Sequence, residues 1–265
     1  RERNDADIAD VQRRCGEAAK LAEKAGFSGV QIHAAHGYLL SQFLSPLTNR
    51  RNDRWGGSLE SRARLLCNIV REVRSNVDTG FSISVKLNSA DFQRGGFSPE
   101  DATLVAQMLE PLGVDLVELS GGSYEAPAMT GVARDGHTLA REAYFLEFAK
   151  KIADSVEMPV MVTGGIRRRE VAHDVLSGGV DMVGIATALA IQPNLPHEWK
   201  VGHLKVPMLR LIKWKNKQLA AAALLAVVKY QLVKLSRGRA SAPNVWPAWA
   251  LAISQLEAMI SARRY

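Results

Sequence analysis

An α/β fold with a parallel sheet is predicted by three features of this 265-residue sequence. Five short apolar segments, near residues 28, 82, 115, 159 and 182, are each bounded by turn residues and read as strands. Stretches of helical periodicity lie between them. Strand and helix alternate, the pattern of repeated βα units with the helices outside the sheet. The length suits one large domain with a sizeable core, and the composition is that of a globular α/β protein.

Residues 5–24 place Ile8, Val11, Cys15, Ala18, Leu21 and Ala22 on one helical face, and Gly26 ends that helix. Residues 28–32, apolar at Val30 and Ile32, are the first strand. It runs straight into His33, His36 and Tyr38, with Gly37 among them where a sharp change of direction is cheap. Residues 49–57 are a polar loop. Ser58 is a good N-cap for a helix over 59–76 that turns Leu65, Leu66, Ile69, Val70 and Val73 inward. Residues 81–87 are the second strand, ending at Lys86, Asn88 and Ser89, and 91–96 are a loop. Ser98-Pro-Glu-Asp opens a helix to about residue 112, with Pro99 in its first turn.

The third strand, 115–119, ends in Ser120-Gly-Gly-Ser-Tyr124 and a polar loop to about residue 138. A helix over 141–156 follows, then a strand over 159–162 that ends Thr163-Gly164-Gly165-Ile166-Arg167. A helix over 169–177 and a strand over 181–185 complete the run, followed by Ala186-Thr187 and Asn194-Leu-Pro. Five βα units are visible, and an eight-stranded TIM barrel, (β/α)8, needs three more. The chain starts within a helix and without Met, so it is expected to be the C-terminal five-eighths of such a barrel. Residues 1–204 are assigned to it. Residues 205–265 are a basic helical extension, helical over 208–235 and 247–263.

The net charge of +7 is unevenly placed. Eleven Lys or Arg and one Glu lie from Lys205 onward, a net +10, which leaves −3 for the rest. The basic character belongs to the extension, so a nucleic-acid partner is not expected. Packing on the barrel or on a second subunit, as in a homo-oligomer, is expected instead. The longest apolar run, 219–228, is shorter than a bilayer span, so no transmembrane segment is expected. The charged first residues do not read as a secretory leader. Cys15 and Cys67 show no disulfide, zinc or iron–sulfur spacing, and a reducing, cytoplasmic setting is expected.

His33, His36 and Tyr38 can donate hydrogen bonds and move protons, and the C-terminal end of a barrel strand is where such a fold keeps its chemistry. Two other readings of the histidines stand beside this: satisfied core residues, or a metal pair that lacks a third ligand at a diagnostic spacing. Lys86 alone reads as a strand-end lysine reaching solvent. Gly164-Gly165 after a strand is a candidate anion turn.

Residues 26–49, with His33-Ala-Ala-His36-Gly-Tyr38-Leu-Leu-Ser-Gln-Phe-Leu-Ser-Pro46, and then Arg51-Asn-Asp-Arg-Trp-Gly-Gly-Ser58, resemble the Old Yellow Enzyme family of FMN-dependent NAD(P)H:flavin oxidoreductases. Val85-Lys-Leu-Asn-Ser89, Ser120-Gly-Gly122 and Val162-Thr-Gly-Gly-Ile166 continue the resemblance in order, over roughly residues 5–196. The resemblance implies that the five strands are barrel strands four to eight. It implies FMN as cofactor, NAD(P)H as reductant, and a small activated alkene, an α,β-unsaturated carbonyl compound, as acceptor.

By the same resemblance, His33 and His36 grip the acceptor's oxygen, where negative charge builds as hydride reaches the β-carbon. Tyr38 is the proton donor to the α-carbon. Lys86 faces the part of the flavin that becomes anionic on reduction. Gly164, Gly165, Ala186 and Thr187 hold the FMN phosphate. Ala186-Thr187 is a departure, because many members carry Gly-Arg there. Asp53, Arg54 and Glu60 are loop-stapling charges, and Tyr124 lines the pocket or faces solvent. Another phosphate-binding TIM-barrel enzyme using His33 as acid–base, or a non-catalytic binding module, are the rival readings.

Overall fold

The computed structural model describes residues 4–122, 143, 145–203, 206–210 and 212–262. The loop expected over 123–137, with Tyr124, lies outside the described residues. In chain order the elements are α1 (Asp5–Lys24), β1 (Gly29–Ala34), α2 (Leu39–Leu44), α3 (Leu59–Ser75), β2 (Ser82–Asn88) and α4 (Pro99–Leu109) with a 3-10 turn at Glu110–Leu112. Next come β3 (Leu116–Ser120), α5 (Leu146–Ala153), β4 (Val160–Thr163), α6 (Arg169–Ser177) and β5 (Met182–Gly184). The last are α7 (Thr187–Ile191), α8 (Leu195–Lys200), α9 (Lys217–Ser236) and α10 (Pro247–Ala262).

All five expected strands are present, each starting one residue later than the apolar pattern places it. They form one sheet in sequence order, and every neighbouring pair is parallel. Register pairs Ile32 with Val85, Leu87 with Leu119, and Val162 with Val183. One face therefore carries Ile32, Ala34, Ile83, Val85, Leu87, Val117, Leu119, Val160 and Val162, all buried. Each Val, Leu or Ile among them stabilises the fold by about 1.5–3 kcal/mol when fully removed from water. Leu65, Leu66, Ile69, Val70 and Val73 of α3 are buried, as the helical pattern requires, and α3 packs on α1, α2, α4 and β2. The other face carries Gln31, His33, Lys86, Asn88, Glu118 and Ser120 at alternate positions.

The chain divides into two compact units. One is Arg1–Gly164 with His173–Gly184, and it holds the sheet. The other is Gly165–Ala172 with Ile185–Tyr265. In the second, Ala226, Val227 and Ala250 form a buried cluster against which Leu209, Tyr230, Val245 and Leu251 pack. The buried Gln231 side chain donates to Ala242 O at 3.0 Å and accepts from Ala242 N–H at 2.6 Å, tying the α9–α10 connection to α9.

Two expected helix starts change. The helix expected over 141–156 begins only at Leu146. Ala143 has φ 58°, a left-handed conformation that no right-handed helix can run through, and its N–H donates to Gly164 O at 2.9 Å. The helix expected from residue 208 begins at Lys217, where Asn216 caps it by accepting from Leu219 N–H at 3.0 Å. The apolar run 219–228 belongs to a longer helix. Its Gln218–Ser236 part has a mean hydropathy of 1.5 and is long and apolar enough to cross a membrane by length and composition. The length argument against a spanning segment therefore does not hold for α9. Length and composition alone do not make α9 a spanning helix.

Candidate active site

The C-terminal ends of β1, β2 and β3 bring the expected residues together. His33 is on β1, and its register partner on β2 is Lys86. After Ala34 the chain turns sharply: His36 has φ 63° and Gly37 φ 77°. A non-glycine residue in that conformation costs about 1–2 kcal/mol, so something must hold it. The buried Asn88 does. Its Oδ1 accepts from the His36 N–H at 3.1 Å, and its Nδ2 donates to Gly122 O at 3.1 Å and Asp91 Oδ1 at 3.2 Å. Gly37 N–H donates to Ser41 Oγ at 3.2 Å.

This turn brings three rings together. The centroids of His33 and His36 are 5.2 Å apart, and those of His33 and Tyr38 are 4.9 Å apart. His36 Nε2 lies 2.7 Å from Ser120 Oγ. That contact occupies one ring nitrogen and leaves Nδ1 for anything else the ring binds. Tyr38, at the start of α2, is 46% exposed and accessible to a ligand.

Burial pushes the His36 imidazole down to about 4, and the neighbouring His33 ring and Lys86 ammonium add to the effect. Burial also lowers His33. Lys86 adds to that, and Glu118 opposes it. Both rings are therefore neutral near pH 7, each with one N–H to donate. The His36 value has a measurable consequence. Its folded value is below the usual 6.5, so between pH 6.5 and about 4 the unfolded chain binds more protons. Stability from this group is complete above pH 6.5 and is lost as the pH falls through that window. The shift caps the loss at about 3 kcal/mol, and solvent screening of a part-exposed ring brings it well below that. An NMR titration is expected to place the His36 midpoint near 4. A midpoint at 6.5 would mean the ring is not enclosed as described.

The remaining candidates lie elsewhere. Gly164 follows β4 with φ 131° and belongs to the first unit. Gly165, φ 72°, belongs to the second, as do Ala186, which precedes α7, and Thr187, which opens it. Asp53, Arg54 and Glu60 lie on the 49–60 stretch. Asp53 accepts from Trp55 N–H at 3.0 Å, and Arg54 pairs with Asp5 at 3.2 Å, so both staple the loop as expected.

Glu118 and Gln31 had not been anticipated. The buried Glu118 carboxylate takes Lys86 Nζ at 2.5 Å and Gln31 Nε2 at 2.9 Å. Their signal was in the strands: Gln31-Ile-His33, Lys86-Leu-Asn88 and Glu118-Leu-Ser120 each alternate polar with apolar. A parallel strand covered by helices on both faces reads as a continuous apolar run, so this alternation marks a polar face on the other side of the sheet. Among the described residues, no group of three His, Cys, Asp or Glu is placed to hold a metal ion.

Residues 1–205 match the model of the NADH:flavin oxidoreductase / NADH oxidase family. The chain belongs to this family. Among its relatives, the NADH-dependent flavin oxidoreductase iliE of Hypocrea jecorina is 40% identical over 215 residues, covering 77% of this chain and 52% of that protein. The chain thus spans about half the length of that curated relative. A 2-naphthoyl-CoA reductase structure superposes with a TM-score of 0.69 at 30% identity, over 76% of this chain and 30% of that one. The old yellow enzyme homologue of Zymomonas mobilis superposes with a TM-score of 0.63 at 26% identity, over 78% of this chain and 56% of that one. The expected kinship with Old Yellow Enzyme therefore stands.

Membership in this family implies a flavin, FMN, and a reduced nicotinamide. The residues on the polar face of the sheet fit the ring of such a group. The polar face offers a cation at Lys86 and neutral donors at His33 and Gln31, of which His33 and Gln31 are exposed. At Gly164 and Gly165 the positive φ pair leaves a strand-end turn without Cβ atoms, and Gly165 is exposed. Ala186 and Thr187 add exposed backbone and one hydroxyl but no cation.

Proposed function

We propose that the chain works as part of an FMN-dependent ene-reductase, in which hydride from NAD(P)H passes by way of the flavin to the C=C bond of an α,β-unsaturated carbonyl compound. The observation that carries this reading is the cluster of two neutral imidazoles and an accessible phenol beside Lys86. Bound FMN supplies the hydride. Gly164, Gly165, Ala186 and Thr187 would hold its phosphate, and Lys86 would face its ring.

His33 and His36 donate hydrogen bonds to the acceptor's carbonyl oxygen. Neutral donors suit this task, because they stabilise charge that grows on the oxygen during reaction without being neutralised by it beforehand. With Nε2 of His36 engaged by Ser120, its Nδ1–H is the donor offered. Tyr38 gives a proton to the α-carbon. A phenol carries an O–H that can be given up as a proton.

The test separates the two halves of the reaction. Tyr38→Phe is expected to leave NADH-dependent bleaching of the flavin unchanged and to slow reoxidation by cyclohexenone about 10²-fold or more, the usual worth of a positioned acid. Stopped-flow absorbance reads both. Equal reoxidation rates for variant and wild type would remove Tyr38 from the mechanism. Failure of the full-length parent to take up FMN at saturating concentration would replace the enzyme reading with a binding module.

A further inference from the structure

Glu118 stands mid-strand in β3 between the buried Val117 and Leu119, and is itself 6% exposed. A carboxylate in such a place costs several kcal/mol unless it is paired and hydrogen-bonded. It is satisfied on both oxygens. Oε1 meets Lys86 Nζ at 2.5 Å and Oε2 meets Gln31 Nε2 at 2.9 Å. The three residues come from three adjacent strands. Lys86 is the register partner of both Glu118 and His33, so carboxylate, ammonium and imidazole follow one another across the face.

Packing alone does not call for this arrangement. A buried ion pair adds little to stability over an apolar residue of similar size. What it does provide is a fixed location for a long, flexible cation. Without Glu118, the Lys86 ammonium would be free to move toward solvent on its four-carbon stem.

We propose that Glu118 is a positioning residue whose carboxylate fixes the Lys86 ammonium on the polar face beside His33 and offsets the charge that it projects there. The assignment concerns this chain's own residues. Only its extension to a bound flavin rests on the function proposed above. There, a partly neutralised Lys86 would stabilise the anionic reduced ring less than a free cation does.

The experiment uses the full chain and needs no cofactor. Ring signals of His33 are followed by NMR against pH in the wild type, Glu118→Gln and Lys86→Met. Glutamine keeps the shape and can still accept from Lys86, but it carries no charge. Its expected effect is a downward shift of the His33 midpoint, whereas Lys86→Met is expected to shift it upward. Faster acetylation of Lys86 in Glu118→Gln than in wild type, relative to the exposed lysines, is expected alongside. An unmoved His33 midpoint and unchanged Lys86 labelling in a folded Glu118→Gln chain overturn the assignment.

If Glu118→Gln does not fold, Glu118→Asp withdraws the carboxylate by one methylene. It is expected to speed Lys86 labelling, and unchanged labelling overturns the assignment. In flavin-loaded protein, Glu118→Gln is expected to raise the reduction potential. A shifted His33 midpoint with an unmoved potential supports the assignment of Glu118 and counts against the flavin reading of this face.

Discussion

Alanine at both His33 and His36 is expected to lower enone reduction at least about a hundredfold, because a single donor to a developing oxyanion is commonly worth 10²–10³ in rate. The two rings are 5.2 Å apart and converge on one turn, so they would act on one oxygen as a unit. Each single variant is then expected to cost nearly as much as the pair. Flavin uptake and its bleaching by NADH should survive, since the residues proposed to hold its phosphate, Gly164, Gly165, Ala186 and Thr187, are untouched. The measurement is steady-state enone turnover beside the flavin absorbance of the purified protein. Undiminished turnover with the yellow colour intact would falsify the role given to the imidazoles. Loss of the colour together with the turnover would instead place them at the cofactor.

The second large effect is on stability. Arg62 of α3 is buried at 7% exposure, and its guanidinium reaches two other helices and the loop before α3. It donates to Leu44 O at the end of α2, to Gly57 O at 3.2 Å, and to Asp101 Oδ2 of α4 at 3.4 Å. Arg62→Ala removes the cation and leaves a buried carbonyl and a largely shielded carboxylate without it. The expected loss is about 3 kcal/mol, toward the upper range for single substitutions. Arg62→Met keeps the apolar stem and should cost nearly as much, because the lost donors dominate. Urea unfolding of the full chain reads it as a lower midpoint at constant slope. A loss below about 1 kcal/mol would mean that water replaces the guanidinium at all three acceptors.

The strands were legible because apolar runs bounded by turn residues are local, and each was found to within a residue or two. The triplet His33, His36 and Tyr38 was legible because it lies in one short stretch of chain. Three other parts of the site depend on distant partners. Glu118 pairs with Lys86 across 32 residues, and Ser120 meets His36 across 84. Neither pairing can be read before the register of β1, β2 and β3 is known. The left-handed His36 depends on Asn88, 52 residues away. Helix starts failed for a different reason. Periodicity says which face is apolar, but the backbone conformation of Ala143 and the cap at Asn216 decide where a helix begins.

β1 is an edge strand of the sheet, and among the described residues it is bonded on one flank, to β2. Along the other flank, Gly29–Ala34 presents backbone N–H and C=O groups in the spacing of a strand template. A border of that kind invites a further strand from another chain. The chain by itself is therefore expected to self-associate as its concentration rises. Sedimentation velocity across a dilution series would record it.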